Sequence, residues 1–115
     1  MNVDKVYISG AITGTDDYME HFERAERELI EEGFTAVNPA RILSHMPAGT
    51  THEEYMVLSM ELLKMCEYIY MLKGWEDSTG ANREYGYALA SDIIILREKD
   101  EKNRCRFVDE SVTYY

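Results

Sequence analysis

The segment Tyr68-Ile69-Tyr70-Met71-Leu72 is apolar at nearly every position and lies between two stretches of helical periodicity. A strand that is apolar on both faces must be covered on both faces, which places it inside a parallel sheet with helices on either side. Three other short β-type runs flank it: Lys5–Ser9, residues 34–37 and residues 92–96. Helical patterns separate them. From about Asp17 to Glu32, Tyr18, Phe22, Ala25 and Leu29 share one face, and Gly33 is placed to stop the helix. Thr51 and Glu54 form a capping-box pattern opening a helix to about Met65, with Tyr55, Leu58, Leu62 and Met65 expected inward. A third helix is expected over Gly80–Ser91, with residues 40–50 as a loop. The order β-α-β-α-β-α-β predicts an α/β doubly wound parallel sheet of four or five strands, in three α/β/α layers with right-handed crossovers.

At 115 residues the chain has room for one domain, 1–115, with its core over about 5–96 and a tail from 97 to 115. The formal charge is −10, and residues 1–60 hold eleven acids against four bases. Such a surface repels nucleic acid polymers and anionic membranes. No apolar run approaches the roughly 20 residues needed to span a bilayer. The N-terminus lacks the basic and apolar regions of a signal peptide, so a cytoplasmic protein is expected. Cys66 and Cys105 form no C-x-x-C pair, and His21, His45 and His52 lack ligand spacing. Neither a structural metal nor any cofactor is expected, and Cys66 reads as a small buried hydrophobe.

In a doubly wound sheet, ligands bind at the carboxyl ends of the strands, where the strand order reverses. That directs attention to Ser9–Gly14 and Lys73–Gly80. Ser78, Thr79 and Gly80 can present a hydroxyl and N–H groups to an anion at a helix start. Glu84 lies about one turn in, where the helix dipole and nearby N–H groups should keep it ionised for attack. The competing reading makes Ser78 an N-cap and Glu84 a partner of the dipole. Tyr7 is core, or lays its ring beside a sugar. Trp75 packs back on the domain or covers a flat ligand. Gly86 and Ala88 are expected to let the third helix lie close to the sheet. The opening loop with Gly10 and Ile12 matches neither a P-loop nor a dinucleotide fingerprint.

Val6-Tyr7-Ile8-Ser9-Gly10-Ala11-Ile12-Thr13-Gly14 is similar to the V-Y-x-x-G-x-I-x-G opening of deoxynucleoside 5′-monophosphate N-glycosidases. The segment from Ser78 to Ala88 resembles the S-x-G-x-x-x-E-x-G-x-A pattern that those hydrolases share with nucleoside 2′-deoxyribosyltransferases. Asn38-Pro39-Ala40, Glu54-Tyr55-Met56, Cys66-Glu67 and Gly74-Trp75-Glu76 resemble the DUF4406 type of that superfamily.

The resemblance covers about residues 5–96. It implies a flavodoxin-like fold, a small-molecule nucleoside or nucleotide ligand, and a homodimer or higher homo-oligomer. It also implies Glu84 as nucleophile on C1′, with Tyr7, Gly10, Ile12, Trp75, Ser78 and Gly80 binding substrate. Ser78 stands where the transferases carry an Asp that contacts the 5′-hydroxyl, which favours a 5′-monophosphate. Two positions depart from the pattern: Ser59 stands near the place of the family's acidic helper, and Thr13 where the hydrolases have Arg. Glu67, Glu76 and Asp77 are the alternative acids, and Tyr115 resembles a terminal tyrosine that reaches a neighbouring site. The function implied is cleavage of an N-glycosidic bond; the alternative is a nucleotide-binding module without catalysis.

Overall fold

The computed structural model describes residues 4–12 and 16–98, together with the backbone of a strand at 107–109. Its elements run β1 (Lys5–Ser9), α1 (Tyr18–Glu31), β2 (Thr35–Val37), α2 (Pro39–Ile42), a 3-10 turn (Leu43–His45), α3 (His52–Lys64), β3 (Tyr68–Met71), a second 3-10 turn (Trp75–Asp77), α4 (Thr79–Ala90), β4 (Ile94–Glu98) and β5 (Phe107–Asp109). The sheet order is β2-β1-β3-β4-β5. The first four strands are parallel, and β5 pairs antiparallel with β4 at the edge.

Strand alternation sends side chains into two separate cores. Val6, Ile8, Tyr70 and Leu72 meet Phe22, Ala25 and Leu29 of α1 on one face. Tyr7, Ile69, Met71 and Ile95 meet Leu63 of α3 and Ala81 and Ala88 of α4 on the other. Both faces are thereby covered, as an apolar parallel strand requires.

Helix α1 ends as its sequence suggests. Gly33 takes φ 97°, Gly33 N–H donates to the Ile30 carbonyl (3.0 Å), and Phe34 N–H to that of Leu29 (3.0 Å). That is a Schellman closure. Helix α4 closes the same way on a non-glycine residue: Asp92 has φ 60°, and Ile93 N–H reaches the Ala88 carbonyl at 3.2 Å. Asp92 is therefore a helix terminator, and β4 starts two residues later than expected.

Three expectations need correction. The stretch expected to be a loop at 40–50 begins as α2, because Asn38 accepts from Arg41 N–H (3.2 Å) and Pro39 occupies the first helical position. The buried face of α3 is Met56, Ser59 and Leu63, one residue round from the expected set, and Met65 is 53% exposed. A polar residue on the inward face misleads an argument from apolar period alone. Gly86 faces outward with open space around its Cα, so the close approach of α4 to the sheet rests on Ala81 and Ala88.

Candidate active site

Helix α4 starts where Ser78 caps it, its hydroxyl accepting from Ala81 N–H at 3.1 Å. Ala81, Glu84 and Ala88 follow at steps of three and four and form its buried face. The two alanines bring the helix close to the sheet, so the longer side chain between them reaches β1. There Tyr7 and Ser9, two residues apart, point to the same side. The Tyr7 hydroxyl donates to Glu84 Oε2 at 2.6 Å and the Ser9 hydroxyl to Oε1 at 2.6 Å. Glu84 is only 6% exposed.

Burial raises the Glu84 carboxyl above its ordinary value, and the hydroxyls of Ser9, Tyr7 and, last in order, nearby Ser59 pull it back down. Burial, reinforced by the Glu84 charge, pushes the Tyr7 phenol well above its ordinary value, so Tyr7 keeps its proton and donates it. The groups that favour an ionised Glu84 are thus side-chain hydroxyls, where the sequence suggested N–H groups of the helix start. Ser59, on α3, donates to the Met56 carbonyl at 3.2 Å and belongs to the same cluster. It supplies a hydroxyl at the place where the resemblance implies an acid.

The cluster forms the floor of a cavity of about 410 Å³ at the carboxyl ends of β1 and β3, where the sheet order reverses. Small-molecule sites commonly measure roughly 300–1,000 Å³. Gly10, Ile12, Ser78 and Gly80 line it together with Tyr7 and Glu84. Gly10 is required there, since a Cβ would stand 2.9 Å from Leu72 Cδ1. Gly80 lies against Met56, with 3.1 Å from its would-be Cβ to the sulfur.

No sequence motif announces the far wall. It comes from residues 39–56, among them Leu43, Thr50, His52 and Tyr55. This segment meets many of its own polar needs. Ser44 donates to the Arg41 carbonyl (2.6 Å), Thr50 to that of Pro47 (2.6 Å), and Thr51 and Glu54 complete the capping box at 2.8 and 3.1 Å. Asn38 and Arg41 both bond Glu26, tying the wall to α1.

Trp75 does not line the cavity. It packs against Tyr85 with ring centroids 4.6 Å apart, and its indole N–H is buried without a partner among the described residues. Glu67 accepts from Lys5 N–H at 2.7 Å, and Glu76 and Asp77 are exposed in the turn before α4, all off the cavity. Thr13 and Tyr115 lie outside the described residues. Ser9 falls within the Ser9–Gly14 stretch that the sequence points to, without a role assigned to its hydroxyl. Its signal is a hydroxyl two positions beyond Tyr7 at the end of an otherwise apolar strand. Cys66 is buried, its Sγ contacts the Leu62 carbonyl (3.4 Å), and burial pushes its thiol to about 11. Among the described residues no group of His, Cys, Asp and Glu could hold a metal ion, and no helix is long and apolar enough to cross a membrane.

A family model, a domain of unknown function (DUF4406), matches residues 4–97. No curated protein sequence matches the chain. Among solved structures, a 2-deoxyribosyltransferase from the psychrotolerant bacterium Bacillus psychrosaccharolyticus, characterised as a biocatalyst for nucleoside synthesis, superposes with a TM-score of 0.66. The two share 17% sequence identity over 81% of this chain and 70% of the other. The likeness establishes a common flavodoxin-like fold.

Proposed function

The chain belongs to the DUF4406 family, and we propose that it cleaves the N-glycosidic bond of a nucleoside or its 5′-monophosphate through Glu84. One observation carries this reading: a buried carboxylate at the switch point of the sheet, its two oxygens held at 2.6 Å by Tyr7 and Ser9, facing a ligand-sized cavity. Hydrogen bonds to both oxygens fix the direction in which Glu84 meets C1′, the main requirement of a nucleophile in a two-step displacement. Attack forms a C1′–O bond as the base departs. Water, or a second base, then displaces Glu84 with net retention. Ser78, Gly80 and the N–H groups opening α4 lie where a 5′-hydroxyl or 5′-phosphate can accept hydrogen bonds.

The test is release of free base from deoxynucleosides and their 5′-monophosphates by the purified protein. Release is expected to fall on the order of 10⁴-fold in Glu84→Ala. Intact substrate after long incubation argues for the second reading, a binding module without turnover. Ser59 in place of an acid favours that reading, which predicts equal ligand binding by wild type and Glu84→Gln.

A further inference from the structure

Glu84 is the one carboxylate among the described residues that line the cavity; the other polar wall groups are hydroxyls and the His52 imidazole. Neighbouring acids are engaged elsewhere. Glu53 pairs with Arg83 (3.3 Å), Glu61 with Lys64 (3.0 Å), and Glu54 closes the capping box. The two hydroxyls nearest Glu84 already donate their protons to it. A neutral nucleobase leaves badly from such a site. Breaking C1′–N puts an electron pair on the base, and without an acid it departs as an anion. A positioned acid is commonly worth 10²–10⁴ in rate.

The walls suit a cation in their own right. Tyr18, Phe22 and Tyr55 are among the residues that line the cavity, and no Lys or Arg stands among its described lining residues. Aromatic faces beside a single carboxylate attract a cationic ring.

We infer that the substrate class is an N-glycoside whose leaving heterocycle already carries a positive charge, a pyridinium or an N7-alkylated purinium. This rests on Glu84 acting as nucleophile. The Glu84 oxygen forms the bond to C1′, the C1′–N bond breaks, and its electron pair neutralises the ring, which leaves as a neutral base with no proton added. Water then attacks C1′, the Glu84–C1′ bond breaks to restore the carboxylate, and the water's proton passes to solvent. The aromatic wall holds the cationic ring in the ground state, and departure of the neutral base frees it for exchange.

The experiment compares 7-methyl-2′-deoxyguanosine with 2′-deoxyguanosine, each also as its 5′-monophosphate, and reads enzymatic base release relative to spontaneous release for each compound. The expected acceleration is roughly 10²-fold or more greater for the methylated, cationic base, and is lost in Glu84→Ala. Equal acceleration of both bases overturns the inference while leaving the N-glycosidase reading intact. If His52→Gln then abolishes release of the neutral base alone, the imidazole is the acid and the inference is equally overturned. Release of neither base by the wild type removes the underlying reading, and the inference with it.

Discussion

The two faces of the sheet are built from alternate residues of the same strands, yet they are put to different use. On the α1 face, Val6, Ile8 and Leu72 meet Phe22, Ala25 and Leu29, and no carboxylate is buried among the described residues. On the opposite face, Tyr7, Ile69 and Met71 build a comparable apolar layer, but Ser9, Ser59 and Glu84 are buried within it. Burying a carboxylate is costly unless hydroxyls or charges compensate it. The α1 face lends Tyr18 and Phe22 to the cavity wall but is otherwise given to apolar packing, whereas the other face gives up part of its stability to keep a buried carboxylate in place.

The sharpest separation of the two roles comes from Leu29→Ala on the α1 face. Leu29 is fully buried, and the cavity left behind should cost about 2–5 kcal/mol in a denaturant titration. Base release per folded molecule should stay near wild type; a parallel loss of turnover would mean the faces are not independent. Ser9→Ala is expected to show the reverse balance. It removes one hydrogen bond to Glu84, costs about 1–3 kcal/mol, and moves the acid limb of the pH–rate profile to higher pH. An unmoved acid limb would show that Ser9 does not tune the carboxyl.

The third test concerns the pH dependence of stability. Burial raises the Glu84 carboxyl above its ordinary value, so the native state holds that proton more tightly than the unfolded chain does. Its contribution is full below the unfolded value and is lost as pH rises through the folded one. In Glu84→Gln this falling component disappears. The melting temperature of the variant should gain on wild type as pH rises past the ordinary carboxylate range, then hold a constant margin. A constant margin at every pH would contradict a raised carboxyl. The smallest effect is expected outside both faces. Gly86 is exposed in the middle of α4, and Gly86→Ala should stabilise by about 0.5–1 kcal/mol. Destabilisation would reveal a close neighbour on that helix face in solution.

The alternation of strands and helices, the cover on both faces and the helix that carries Glu84 were legible because each follows from local pattern. Apolar runs of five residues, a capping box and Ser78 ahead of a helix all report directly on backbone geometry. The chemistry around Glu84 was less so. Its hydroxyl partners come from a strand more than 70 positions earlier, and nothing local to the 78–88 segment points to them. The rotation of α3 was hidden because Ser59 is turned inward by its position in the site, against what hydrophobicity suggests. Trp75 misled in the opposite direction: a lone loop tryptophan can serve a ligand, but here Tyr85 one helix later takes up its ring. The short α2 was written in Asn38-Pro39, a pair that ends a strand as naturally as it opens a helix.

The far wall of the cavity has a consequence for how such a site can change. From Asn38 to Glu54 the chain meets many of its polar needs within the segment, and it meets the rest of the domain through Glu26, through Ala40 in the core on the α1 face, and through Glu53, which pairs with Arg83 of α4. The floor belongs to the sheet and to α4. A block of chain whose polar groups are so largely satisfied within it resembles a cassette: swapped for another that keeps these few ties, it would give the same carboxylate a new set of neighbours. Diversification of ligand choice can then proceed by exchange of one contiguous stretch, without disturbing the residues that hold Glu84.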